Sequence, residues 1–242
     1  YLNGATVWRD ANGNGVYDAG VDYAVTTNSD GSYSGLGGSG AIRVFGGTDT
    51  YGTGLTFSGV LLAPDSATVV TPLTTLVQSL KDVGGLSTDQ AVTKVASLLG
   101  LSSLGVGSSD LLNTDAISTA LNSSDATTKS KALNIYAASA QVANLIVAGT
   151  AAAKTAAAGA STEVASNAVV SALAGQLASA SSAVDLGSST FVQQVMSSVS
   201  VNSTSISNVA SLSAALANVN ASVASISLSA NATSLTALTS LV

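Results

Sequence analysis

The pattern of apolar and polar positions changes character near residue 70. Upstream of it, short alternating runs are separated by Gly, Asn and Asp. They predict strands over 5–8, 23–27, 32–34, 41–45, 55–62 and 67–70. Short strands joined by Gly-rich turns imply a small antiparallel sandwich. Downstream, the apolar positions recur at three and four. Thr71 followed by Pro72 supplies an N-cap hydroxyl and a proline at the first helical position, and Leu73, Leu76 and Leu80 then share a face. Ser87 with Gln90 reads as a capping box for a helix that carries Ala91, Val95 and Leu98 and stops at Gly100. Asp110 and Asp125 are candidate caps for two more helices. A long helix is expected over 127–158, with Leu133, Tyr136, Ala140, Ala143 and Val147 along one seam. The same spacing returns at Val170, Leu173, Leu177, Ala180 and Val184, and at Val209, Leu212, Leu216, Val219, Val223 and Ile226. A period near 3.5 marks helices packed lengthwise, as in a bundle. The stretch 218–229 also alternates, so strand stays open there.

The fold expected is therefore α+β and multidomain. Residues 1–70 form a small antiparallel β-sandwich, and residues 71–242 form a mainly helical, Ala/Ser-rich bundle.

Composition narrows the chemistry. The chain of 242 residues has no Cys and no His, which removes thiolate sites, imidazole bases and the His-dependent triads. Ser130 lies between Lys129 and Lys131, but adjacent residues on a helix do not face each other, so no Ser–Lys pair is built there. The glycines at 35, 37, 38 and 40 lack the Lys-Ser/Thr ending of a phosphate loop. No enzyme is expected. The net charge is −6 with seven basic residues in all, too few for a nucleic-acid surface. The charge-free stretch 132–153 is long enough to span a bilayer, but Asn134, Ser139, Gln141 and Asn144 interrupt it, so a buried or assembly-facing helix is expected and no membrane span. From Thr155 onward only Glu163 and Asp185 are charged. A surface that touches copies of itself needs little charge, so this half reads as an assembly region. The chain opens at Tyr1, as expected of a processed chain or a piece of a longer one. Its strand-like first eight residues could be donated to a neighbouring copy. Asn-x-Ser/Thr triplets at Asn122, Asn202, Asn220 and Asn231 arise readily in so Ser-rich a chain.

The segment from Asp10 to Asp22 carries the strongest chemical pattern. Asp10, Asn12 and Asn14 occupy positions 1, 3 and 5 of an EF-hand-like loop, and Gly15 falls at position 6, where the turn is sharp. Val16 would offer its backbone carbonyl at position 7, and Asp18 stands at position 9. Hard oxygen ligands at this spacing suit calcium better than magnesium, which demands tight octahedral geometry. Position 12 is Val21, where a bidentate Glu is expected. Asp22, one residue later, or Asp30 must make up the missing oxygen. Without a metal the same residues would be an Asn/Gly/Asp-rich hairpin. Trp8 is expected in the core, with Tyr17 beside the loop.

The run Gly4-Ala-Thr-Val-Trp-Arg-Asp10, the Asp/Asn loop, and Thr27-Asn-Ser-Asp-Gly-Ser-Tyr33 together resemble the calcium-binding B-type sandwich modules of large bacterial surface proteins, and carboxypeptidase-regulatory-like domains. The segments 46–49, 61–64 and 71–76 are similar to a junction in type I-secreted adhesins and surface-layer-like proteins, where a helical region follows the sandwich. The resemblance implies a calcium-stiffened Greek-key sandwich on a cell surface. Val21 and Asn28 depart from it, each removing a charge. The expected role is an extracellular structural subunit or module of a fibre, surface layer or adhesin that associates with copies of itself. The alternative is a monomeric adhesin module that binds a glycan or a host surface.

Overall fold

A computed structural model describes residues 1–226, and the architecture is α+β with small antiparallel sheets. The strands are β1 (Leu2–Asn3), β2 (Thr6–Asp10), β3 (Tyr23–Thr26), β4 (Ala41–Phe45), β5 (Thr48–Asp49) and β6 (Val60–Ala63). Four of them form one antiparallel sheet in the order β3-β2-β4-β6, and β1 pairs with β5 in a separate two-residue ladder. Register places Trp8 opposite Arg43 and Asp10 opposite Ala41. The alternation of a strand then puts Trp8, Asp10 and Arg43 on one sheet face.

Two expected strands are irregular. Residues 32–34 make none, and 67–70 dock instead onto a helix, the N–H groups of Thr68 and Val69 donating to the Leu112 carbonyl. Strand 55–62 is realised only at its end, as β6. Besides the four-stranded sheet, the described residues hold only two-stranded ladders. Its β6 edge is closed by helices: Leu62 N–H donates to Thr75 Oγ1 at 2.9 Å, Leu62 C=O accepts from Thr74 Oγ1 at 2.8 Å, and Val60 N–H donates to Ser166 Oγ at 2.8 Å. Side-chain hydroxyls thus satisfy backbone groups that an edge strand would otherwise leave open to another chain.

The helices are α1 (Pro72–Gly84), α2 (Thr88–Leu98), α3 (Ser108–Leu112), α4 (Ala116–Asn122), α5 (Ala126–Ala156), α6 (Thr162–Ser179), α7 (Ser189–Ser198) and α8 (Val209–Ser225). Their starts follow the caps. Thr71 accepts from Thr74 N–H, Ser87 pairs reciprocally with Gln90, and Asp125 accepts from Thr128 N–H at 2.7 Å. Asp110 lies one turn later than expected: it is the third residue of α3, and its carboxylate accepts from Gly107 N–H. A hairpin of β7 (Ser200–Val201) and β8 (Thr204–Ser205) separates α7 from α8. The alternating stretch from 218 is helical up to Ser225, Ile226 caps it in an extended conformation, and residues 227–229 lie outside the described residues.

One set of buried apolar side chains runs from Val7, Ile42, Val44 and Leu61 in the sheet, through Leu73, Leu76 and Leu80 of α1, to Leu145, Leu173 and Val195 of α5, α6 and α7. α5 is the one helix, among those described, long and apolar enough to cross a membrane. Most of its apolar stretch is buried against its neighbours.

Candidate metal loop

The 11–22 segment joins β2 to β3, so the sheet fixes both of its ends. Asp10 closes β2 and is 3% exposed, and Asp22, just before β3, is 7% exposed. Asp22 organises the loop from inside: Oδ1 accepts from Ala11 N–H at 3.0 Å and Oδ2 from Asp18 N–H at 2.7 Å. Asp10 Oδ2 accepts from Gly15 N–H at 2.9 Å. Gly15 sits at φ +78°, the left-handed region, as the sharp turn at position 6 requires. Asn12 Oδ1 accepts from Asn14 N–H and Asn14 Oδ1 from Val16 N–H, two successive side-chain turns that coil the loop.

The outer rim gathers Asn12, Asn14 and Asp18. Asp18 Oδ2 accepts from Asn12 Nδ2 at 2.9 Å and from Asn14 Nδ2 at 2.6 Å. These two carboxamide donors, Asn12 first, hold the Asp18 carboxyl below its usual range, because they favour the charged form. Positions 3, 5 and 9 of the expected loop are therefore neighbours in space, and position 1, Asp10, reaches the same loop through Gly15 N–H. Asp30 is not among them. It lies beyond the far end of β3, about 13 Å of strand away, and its carboxylate accepts from Ser32 N–H in a turn of its own. Of the two candidates for the missing oxygen, Asp22 is the one at the loop.

The residues fit a hard cation in part. Asp10 Oδ1 is buried without a hydrogen-bond partner, and Asp18 gathers the Asn12 and Asn14 carboxamides at one rim, although these turn their N–H donors to it while their Oδ1 atoms accept backbone N–H groups. Against this, both Asp22 oxygens are engaged by backbone N–H groups. Among the described residues no three acidic side chains come together in a metal-holding group.

One participant was not legible in the loop's sequence. Arg43, on the neighbouring strand β4, donates from Nε to Asp10 Oδ2 at 2.7 Å, and both side chains are buried. Its guanidinium lies over the turn: a Cβ built on Gly15 would meet Arg43 Nη2 at 3.3 Å. Gln78 and Asp82 of α1 are joined at 2.7 Å. Burial raises the Asp82 carboxyl above the usual range, while the Gln78 hydrogen bond and the Arg43 and Lys81 charges oppose the rise. The available signal was a lone Arg inside an otherwise apolar strand, in a chain with seven basic residues.

Trp8 is fully buried, with its ring edge-on to Tyr17 at 6.1 Å and to Phe45 at 5.4 Å. It offers no sugar-stacking face, and Tyr17, 39% exposed, is the aromatic at the loop surface. Within the single chain the N-terminal segment is already paired. β2 is paired on both sides, β1 is paired with β5, and Tyr1 C=O accepts from Thr50 N–H. Comparison of the chain with protein-family models, curated proteins and solved structures finds no match.

Proposed function

We propose that this chain is a non-enzymatic structural module of an extracellular fibre, surface layer or adhesin on a bacterial cell surface, stiffened by calcium at the 10–22 loop and associating with copies of itself. The observation that carries this reading is the buried Asp10 Oδ1, which has no partner, at the start of a loop whose rim holds Asn12, Asn14 and Asp18. Calcium takes several oxygen ligands in flexible geometry, and carboxamide, carboxylate and backbone oxygens at this spacing are of that kind. Asp10, Asn12, Asn14, Asp18 and the Val16 carbonyl would hold the ion, with Asp22 shaping the loop from behind. The ion's contribution is charge neutralisation and rigidity. The reading of residues 1–70 as a calcium module of Greek-key sandwich type is kept here as a likeness of the β2–loop–β3 unit. Its sheet is completed by helices.

Self-association is supported by the surface. From Thr155 to Ile226 the charged side chains are Glu163 and Asp185, and Val164 and Val219 expose 45% and 40% of their surface. So little charge over these helices favours contact over solvation.

Sedimentation velocity of the purified chain in calcium and in chelator tests the reading. It predicts species larger than the monomer, more abundant in calcium. A strictly monomeric protein in both conditions contradicts the assembly. If that monomer binds glycans and loses binding in Asp18→Ala, the adhesin alternative replaces it.

A further inference from the structure

Arg43 departs from what a simple oxygen-ligand loop requires, because it brings a fixed positive charge to the first ligand position. A buried guanidinium is costly unless it is paired and hydrogen-bonded, and a buried carboxylate is equally so. Here each is the other's partner. Arg43 is 8% exposed and Asp10 is 3% exposed, and they meet at 2.7 Å. The same Asp10 Oδ2 also takes Gly15 N–H, so the ion pair and the turn are one unit. The cross-strand register Trp8–Arg43 aims the arginine at Asp10, two residues along β2 on the same face.

The loop's own composition points the same way. Val21, half exposed, offers no side-chain oxygen at the twelfth position, so the loop carries only the three carboxylates Asp10, Asp18 and Asp22, one of them already paired with Arg43. A loop with that charge balance makes less demand for a divalent ion.

We propose that Arg43 is the built-in counter-cation of the 10–22 loop: its guanidinium neutralises Asp10 in the role a divalent ion would otherwise take, keeping the loop ordered without metal and weakening its calcium affinity. This rests on the reading of the loop as a calcium site. Arg43 is a positioning and affinity-setting residue, not a ligand. A cation that reaches Asp10 Oδ1 shares the carboxylate with the guanidinium and is repelled by it. At separations of a few ångströms such repulsion amounts to a tenfold or larger change in binding.

The test compares calcium affinity and thermal unfolding of the full chain as wild type, Arg43→Gln and Arg43→Lys, using calcium titration calorimetry and melting in calcium and in chelator. Arg43→Gln keeps a donor for Asp10 but drops the charge. It is expected to bind calcium about tenfold or more tightly than wild type, to melt lower in chelator, and to recover in calcium. Arg43→Lys keeps the charge and is expected to stay within about threefold of wild type. A merely structural role would move the affinity of Arg43→Gln downward, the opposite sign. Equal or weaker binding by Arg43→Gln overturns the proposal while leaving the calcium site standing. So does a gain in Arg43→Lys as large as that in Arg43→Gln, or failure of Arg43→Gln to fold in calcium as well as in chelator. If neither wild type nor Arg43→Gln binds calcium, the calcium reading itself falls and takes this proposal with it.

Discussion

Asp22 and Asp18 sit four residues apart in one loop and carry different loads. Asp22 is buried and accepts two backbone N–H groups, so Asp22→Ala leaves both without their acceptor. The expected cost is about 2–3 kcal/mol, read by chemical denaturation in chelator. Asp18 lies on the rim and its carboxylate accepts only carboxamide donors, so Asp18→Ala, which keeps the backbone carbonyl that Val21 and Asp22 N–H groups use, is expected to leave stability in chelator nearly unchanged. A large loss for Asp18→Ala and none for Asp22→Ala would reverse these roles. At this scale the sequence was informative about spacing: Asn12, Asn14, Gly15 and Asp18 all fall within the coiled loop, and Asp10, at the end of β2, bonds its turn. It was silent about direction. Whether Asp22 faces an ion or the backbone depends on the closing turn, and the Arg43 pairing depends on a strand register set 33 residues away.

Helix starts were legible because caps are local chemistry. Thr71, Ser87 and Asp125 each declare a start through their own side chain. Helix faces were less so. The narrow seam through Tyr136, Ala143 and Val147 missed Ile135, Val142, Leu145 and Ile146, which are buried because α5 has neighbours on several sides. Gly149 shows why: a Cβ there would meet Val169 at 2.9 Å and Met196 at 3.2 Å, so the helix is approached closely on that side too. Asn220, an apparent modification triplet, is fully buried and joins α8 to α5. It donates to the carbonyls of Gln141 and Leu186 and accepts from Asn144 Nδ2. Asn220→Ala strands those partners and is expected to cost about 3 kcal/mol, measured by denaturant unfolding. A loss below about 0.5 kcal/mol would show that the network is not holding α8. For the same reason Asn220 is closed to glycosylation in the folded chain, whereas Asn122 and Asn202 are exposed.

On the scale of the molecule, the change of composition near residue 70 coincides with the passage from β6, ending at Ala63, to α1, beginning at Pro72. What composition could not convey is that the two parts share a core and that hydroxyls of α1 and α6 close the sheet edge. Such contacts join residues as far apart as Val60 and Ser166. The loop at one end of that sheet is tied by the Asp10–Arg43 pair to β4, which pairs with the β6 strand that α1 and α6 close. Calcium at the loop is expected to stabilise the whole fold rather than one turn.

Calorimetric unfolding of the wild-type chain in chelator and in about 10 mM calcium is the most direct test, since modules of extracellular type bind calcium near 0.1–1 mM. Binding of that strength predicts a single transition raised by about 2–6 °C in calcium, with the rise absent in Asp18→Ala and not reproduced by magnesium. Superimposable transitions in calcium and in chelator would contradict the account.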